Sequence, residues 1–258
     1  MIISSSSNDK IKEIKKLNDK KYRIELKQYI IEGVKILEEA ILSNQKIVSI
    51  VICDDMLKSI SIDTGVIDSY ISKNEDIVIY VTDNVFESIS DTKNPQGILS
   101  ILEINKEEKQ LTDSIIFLDN IQDPGNVGTI IRSALAFNFK TVVLNKGCAD
   151  IYNSKVLRAT MGNIFSINII LLEDNGYDWL MDKKKDYTIY ASTLINAKSI
   201  YDTKYAIKRI LIIGNEANGI SDEVLACSNE SIVIPMNESV ESLNVSNAAS
   251  IIMAEMSK

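Results

Sequence analysis

Histidine is absent from this chain of 258 residues, and cysteine, proline and tryptophan are scarce, with three, three and one copies. Without histidine no Ser-His-Asp triad, Cys-His pair or histidine-ligated zinc site can form. Any proton transfer falls to carboxylate, Lys, Arg, Tyr, Cys, backbone or water. Cys53, Cys148 and Cys227 are isolated and lack CxxC spacing, so they read as buried thiols in a reducing compartment, with no disulfide framework and no metal site expected. No apolar run approaches the ~18 residues of a membrane span. The opening Met-Ile-Ile-Ser-Ser-Ser-Ser lacks the basic region and long apolar stretch of a secretory leader. The expectation is a cytoplasmic chain with no membrane partner. No G-x-G-x-x-G or Walker pattern follows an apolar run, which disfavours a doubly wound nucleotide-dependent enzyme.

Positive charge is also in deficit: the formal net charge is −8, awkward for a nucleic-acid enzyme, which usually carries a basic footprint. Distribution matters more than the total. Up to Lys35 the chain carries Lys10, Lys12, Lys15, Lys16, Lys20, Lys21, Arg23, Lys27 and Lys35 against Asp9, Glu13, Asp19, Glu25 and Glu32. These are either solvated helix faces or an RNA-capturing surface. A second basic group, Lys140, Lys146, Lys155 and Arg158, surrounds the first of the three motifs described below. With an acidic whole, RNA binding should be local and salt-sensitive.

Hydrophobic residues at 45% and charged residues at 25% are ordinary globular usage, and the length suits one large or two ordinary domains at about 150 residues each. Asp9 to Lys27 alternates charge and apolar positions at helical spacing; Ile30 to Leu42 reads as a strand turning at Gly33 into a helix. Val48–Cys53, Ile77–Val81 and Ile98–Ile104 read as strands, the last after a turn at Asn94-Pro-Gln-Gly97. The polar stretch Glu103 to Asp113 reads as a linker. Strands follow near Ile115–Leu118, Thr141–Leu144, Ile167–Leu172, Tyr187–Ala191, Ile210–Ile213 and Ser231–Ile234, with helices between. Alternation of this kind predicts α/β architecture, with a mostly parallel sheet covered on both faces.

Three segments carry the chemistry. In Leu118-Asp-Asn-Ile-Gln-Asp-Pro-Gly-Asn-Val-Gly-Thr-Ile-Ile-Arg-Ser-Ala134 an apolar strand breaks at Pro124-Gly125, and a helix is expected to start there with Arg132 one turn in. Helix N-termini offer free N–H groups to an anionic or polar ligand. Leu211-Ile-Ile-Gly-Asn-Glu-Ala-Asn-Gly-Ile220 repeats the strand-and-turn design, as does Ile232-Val-Ile-Pro-Met236 followed by Ser242-Leu-Asn-Val-Ser246. In order and spacing the three resemble the motifs of the SpoU (TrmH-like) family of RNA ribose 2′-O-methyltransferases, in the SPOUT superfamily. Three motifs in register are more specific than any one of them. The N-terminal part resembles that family's substrate-binding domain, with Pro95-Gln96-Gly97 in its "PQG" element.

The resemblance implies residues 1–105 as a small three-layer α/β RNA substrate-binding domain and 113–258 as a methyltransferase domain whose C-terminal segment is threaded into a trefoil knot, against the usual rule. It implies S-adenosyl-L-methionine as cofactor, RNA as substrate with ribosomal RNA ahead of tRNA, no DNA, and a homodimer through the C-terminal domain. A sulfonium donor is already activated, so a chain without histidine needs chiefly to align the hydroxyl and manage one proton.

Catalytic positions implied are Arg132, Asn126, Glu216, Ser242 and Asn244. Free guanidinium is a poor base, which favours Arg132 as an orienting group that stabilises charge on the oxygen. Read locally, Arg132 is a surface cation in the first helical turn, where the dipole does not favour it. Asn126 is either a turn or cap residue or a bridge between loop and ribose. Glu216 is either an early-helix carboxylate or a clamp on Asn126 or Arg132. Ser242 and Asn244 are polar in a stretch expected to be buried, and so need partners. Cofactor positions implied are Thr193, Leu194, Gly214, Ile234 and Leu243; Ile234 and Leu243 otherwise read as core. RNA positions implied are Arg158 and Lys155. Glu238 departs from the family pattern, which often has Gly after Ile-Pro-Met-x. A noncatalytic RNA-binding or ribosome-assembly factor on the same fold is the alternative.

Overall fold

The computed structural model describes residues 2–59, 63–104, 110–237 and 239–258. Glu238 lies outside them, as does the centre of the polar linker. The chain forms two compact units, Met1–Glu107 with Tyr152–Phe165, and Glu108–Ile151 with Ser166–Lys258. The segment Tyr152–Phe165 thus packs with the N-terminal unit, although it lies within the sequence of the second.

The first unit holds a mixed sheet of β1 (Ile2–Ile3), β2 (Gln28–Glu32), β3 (Ile47–Ile52), β4 (Val78–Val81) and β5 (Ile98–Glu103), in the order β1-β4-β3-β5-β2. β5 runs antiparallel to both β3 and β2, while β1, β4 and β3 are parallel. Ile11, Ile14 and Leu17 of the first helical stretch bury themselves with Val51, Phe86, Leu99 and Ile101. Each such large side chain contributes about 1.5–3 kcal/mol of burial. The stretch Asp9–Lys27 is two helices, Asp9–Lys16 and Lys20–Leu26, capped by the side chains of Asn8 and Asp19. Most of its lysines are exposed, but Arg23 is buried, and its Nη1 donates to the carbonyls of Leu17 and Asn18 at 2.7 and 2.8 Å. That arginine ties the helix junction together and leaves the basic face to lysine.

Pro95-Gln96-Gly97 has a structural task. Gln96 Oε1 accepts from the backbone N–H of Val34 at 2.9 Å, capping the helix Val34–Leu42, whose own cap residue, Gly33, has no side chain to offer. Gly97 sits at φ +77, and a Cβ there would meet the Cys53 carbonyl and the Leu57 nitrogen at 2.7 Å. Glycine is the residue that permits both.

The second unit is a parallel sheet of β6 (Ser114–Leu118), β7 (Thr141–Leu144), β8 (Asn168–Leu171), β9 (Thr188–Ser192), β10 (Lys198–Ser199), β11 (Arg209–Ile213) and β12 (Glu230–Val233). Its order is β10-β12-β9-β11-β6-β7-β8, every pair parallel. All residues of β6 and β7 are buried, as expected for near-continuous apolar runs in the middle of a parallel sheet. Ile115, Phe117, Ile189, Ile210, Ile212 and Leu180 make one core; Phe117→Ala would cost about 3–5 kcal/mol.

Chain order and sheet order diverge, with a physical consequence. β7 and β8 extend to one side of β6, whereas β9, β11 and β12 lie on the other. Ligands of open parallel sheets bind outside the carboxyl ends of strands near such a reversal. There the carboxyl ends of β12, β9, β11 and β6 form a contiguous row.

Candidate active site

The three motif segments leave that row side by side. Leu118 pairs with Ile213 at the ends of β6 and β11, and Ser192 pairs with Ile232 toward the ends of β9 and β12. The helix Pro124–Ala136 starts directly after the first turn, with Asp123 as cap: its carboxylate accepts from the Asn126 N–H at 2.8 Å. Asn126 is therefore the third residue of the helix, not its cap. Arg132 is the ninth, two turns in, not one. The expected conflict with the dipole disappears, because that field falls off within the first turn. Arg132 is exposed, and its guanidinium has no hydrogen-bond or ion-pair partner among the described residues.

Asn126 joins the other two motifs. Its Nδ2 donates to Glu216 Oε1 at 2.7 Å, and its Oδ1 accepts from Asn244 Nδ2 at 3.0 Å. Both amide orientations are chemically fixed. Glu216 as a carboxylate only accepts, so the NH₂ of Asn126 must face it. Asn244 Oδ1 accepts from Ser246 N at 2.9 Å, Ser246 Oγ at 2.6 Å and Asn247 N at 3.4 Å, which turns its NH₂ toward Asn126. One N–H of Asn126 remains unassigned by this arrangement. Asn244 doubles as the cap of the helix Val245–Met256, which is held to the helix Pro124–Ala136 by a 2.8 Å hydrogen bond between the hydroxyls of Ser250 and Ser133.

Glu216 stands in a closed loop, not at a helix start. Asn215 and Gly219 exchange two backbone hydrogen bonds of 2.9 Å, and Asn215 Oδ1 accepts from the N–H groups of Ala217 and Asn218 at 3.0 and 3.1 Å. Gly214 is required by crowding: a Cβ there would lie 2.3 Å from the carbonyl carbon of Gly219.

Gly214, Thr193 and Ile234 follow the ends of β11, β9 and β12 in turn. The Thr193 N–H donates to the Ile232 carbonyl at 3.1 Å, which fixes the turn after β9. Ile234 and Leu243 are half-buried, not core, and Leu194 is 66% exposed. Ser242 and Asn244 are exposed, because residues 239–244 run largely over the surface. Ser242 has no hydrogen-bond partner among the described residues.

The sequence reading passed over Asp119. It is 3% exposed, and its carboxylate binds Asn145 and Ser221 beneath the cluster. The one available signal was its position directly after the apolar run Ile115–Leu118, still in the shadow of the sheet. Nearby, Cys148 Sγ donates to the Leu118 carbonyl at 3.3 Å, and burial pushes its thiol up to about 11. It stays protonated near neutrality and offers no nucleophile.

Arg158 and Lys155 belong to the first unit, on the helix Ser154–Thr160. Lys155 is exposed. Arg158 Nη2 pairs with Asp91 at 3.3 Å, and Ser154 Oγ donates to the same carboxylate oxygen. The Ser154 hydrogen bond first, then Arg158, hold the Asp91 carboxyl below the usual range. Among the described residues no group of three or more Cys, Asp or Glu is placed to hold a metal ion, and no helix is long and apolar enough to cross a membrane.

Residues 113–254 match the model of the SpoU rRNA Methylase family, and residues 8–100 match the MRM3-like substrate binding domain. The chain is 31% identical over 252 residues to the 23S rRNA (guanosine(2553)-2′-O)-methyltransferase RlmP of Bacillus subtilis, covering 97% of each. Among solved structures it resembles a putative RNA methyltransferase of the TrmH family from Porphyromonas gingivalis (TM-score 0.81, 29% identity, 97% of each chain). It also resembles the AdoMet-bound rRNA methyltransferase from Sinorhizobium meliloti (TM-score 0.85, 25% identity, 99% of this chain and 97% of that one).

Proposed function

The chain belongs to the SpoU rRNA methylase family, and from that membership we infer that it transfers a methyl group from S-adenosyl-L-methionine to a ribose 2′-hydroxyl of ribosomal RNA. The observation that carries this reading is the hydrogen-bonded chain Asn244–Asn126–Glu216, which draws all three motifs onto one asparagine. A merely structural fold has no need of an exposed polar relay across separations of 90 and 118 residues.

When bound, the cofactor supplies a methyl group on a sulfonium, an electrophile that needs no acid. Gly214 with its bare backbone, the turn at Thr193, and the incompletely buried Leu194, Ile234 and Leu243 suit an adenosyl group, which asks for apolar walls and backbone hydrogen bonds. Asn126, clamped on both sides, keeps one N–H for the ribose. Arg132 supplies an unpaired cation for the RNA phosphate or for charge developing on the 2′-oxygen; it orients and stabilises, while the phosphate or water takes the proton. Ser242 lines the methyl-transfer side. Lys155 and Arg158, on the unit that carries the substrate-binding match, supply cations for RNA.

The same reading makes the protein a cytoplasmic homodimer through its C-terminal unit, with the C-terminal segment knotted. Large-subunit ribosomal RNA is the proposed target, since the Bacillus subtilis relative named for it matches from end to end. Labelled S-adenosylmethionine with unmodified ribosomal RNA should give 2′-O-methyl ribose at a defined nucleotide. Cofactor binding without transfer to ribosomal RNA or tRNA would instead point to a noncatalytic assembly factor.

A further inference from the structure

We propose, resting on the methyl-transfer reading above, that Asp119 is a positioning residue: it pins the loop that carries Glu216 so that this carboxylate meets Asn126. Asp119 is nearly inaccessible, at 3% exposure, and a buried carboxylate persists only where donors replace its water. Three do. Asn145 Nδ2 donates to Oδ1 at 2.7 Å, and the N–H and hydroxyl of Ser221 both donate to Oδ2 at 2.8 Å. Every neighbour is a donor, so the position calls for an acceptor-only group, which is an ionised carboxylate.

Ser221 is the downstream foot of the Glu216 loop. The upstream foot, Asn215, donates through Nδ2 to the carbonyl of Asn120 at 2.9 Å. Both feet therefore stand on two consecutive residues of the first motif, the same segment that presents Asn126. Between the feet, residues 216–219 are exposed, and apart from the loop's own turn bonds the hydrogen bond that holds Glu216, among the described residues, is the one to Asn126. Asp119 sets the Glu216 loop and Asn126 in one frame. Without it, Glu216 would sample other positions, and the amide of Asn126 would lose its clamp.

The network has a complementary inverse that a general loss of stability would not respect. Asp119→Asn alone sets an NH₂ against either the Asn145 amide or the Ser221 N–H, because Asn145 Oδ1 is held by the Lys146 N–H at 2.9 Å. Adding Asn145→Asp reverses the donor: Asn at 119 donates to Asp at 145, whose other oxygen still accepts from Lys146, and the Ser221 donors keep an acceptor.

The test compares D119N, D119N/N145D and S221A in the full-length protein, with methyl transfer normalised to calorimetric S-adenosylmethionine binding sites. D119N should lower kcat about tenfold with KM for RNA changed less than about threefold. The double variant should return to within about threefold of the wild type, and S221A should fall between them. In parallel, the side-chain amide resonance of Asn126 should shift in D119N toward its position in Glu216→Gln, and return in the double variant. If D119N does not fold, S221A and the double variant decide. Unchanged kcat per site in S221A, a reduced rate with the Asn126 resonance unmoved, or a folded double variant that stays slow would each overturn the proposal. A wild-type protein with no methyl transfer would refute the functional reading, while the resonance of Asn126 would still decide the role of Asp119.

Discussion

The helix Pro124–Ala136 presents Arg132 to solvent with no partner among the described residues, whereas the helix Ser154–Thr160 ties Arg158 to Asp91 at 3.3 Å. Both arginines follow an asparagine-bearing turn, and both matched a family position on sequence. Their electrostatic states differ. Arg132 can meet a phosphate or a developing oxyanion without first giving up a bond. Arg158 must exchange one carboxylate for another anion, and its Nη1 is buried without a hydrogen-bond partner among the described residues. The difference separates an arginine available to chemistry from one that also holds its unit together.

Breaking the first half of this comparison should have the largest effect. Arg132→Ala should reduce kcat by about 10²–10³-fold, the range for losing one preorganised charge-stabilising donor. S-adenosylmethionine affinity measured by calorimetry should stay within about threefold, because the positions proposed for the adenosyl group lie outside the first motif. Arg132→Lys should recover little, since a point charge does not replace a planar fork. Equal loss of binding and turnover would place Arg132 in the cofactor site instead.

Asn126→Ala sharpens the comparison by removing the centre of the relay while leaving Arg132 free. It should lower kcat about tenfold, equivalent to roughly 1.4 kcal/mol, with the melting temperature little changed because Glu216 and Asn244, the partners it loses, are solvent-exposed. A kcat within about twofold of wild type would show that the clamp on Asn126 has no part in turnover.

Arg158→Ala tests the other half. Its pair with Asp91 is partly exposed, so the stability loss read by thermal unfolding should be at most about 1 kcal/mol. RNA affinity should fall a few-fold, and more steeply with salt in the wild type than in the variant, as one phosphate contact is lost. A loss of kcat as large as that of Arg132→Ala would mean that the two arginines do not differ in this way.

The smallest expected effect is in acid. Asp91 is held below its ordinary range, so its contribution is fully present above the unfolded carboxylate's pKa. It is lost as pH falls through the lower folded value. Acid unfolding of Asp91→Asn should therefore be flatter below about pH 4 than that of the wild type, while the two converge in slope near neutrality. Identical acid limbs would mean that solvent already screens the pair.

Much of this was legible because it is local. β7 falls where its β-branched run places it and β5 where its apolar residues follow the turn at Gly97, and Asp123-Pro124 starts a helix because Pro is pre-shaped for the first position. Gly33 and Gly97 mark turns as read. The two-residue strands Ile2–Ile3 and Lys198–Ser199 were not legible, since two residues show no period. The burial of Asp119 and Arg23 was not legible either: a charged residue beside an apolar run reads as a turn, and only the donors around it show otherwise.

By itself the sequence determined where the longer strands lie, where three of them end in turns, and which polar residues stand at those turns, all set by residue type and spacing over a few positions. Only the tertiary structure decided that Asn126 meets Glu216 and Asn244, that Asp119 holds Ser221 and Asn145, and that Tyr152–Phe165 packs with the N-terminal unit. The reason is geometric. Hydrogen-bond partners depend on which strand ends are neighbours, and sheet order arises from packing the whole chain, where β11 comes to lie beside β6 although more than ninety residues separate Leu118 from its partner Ile213.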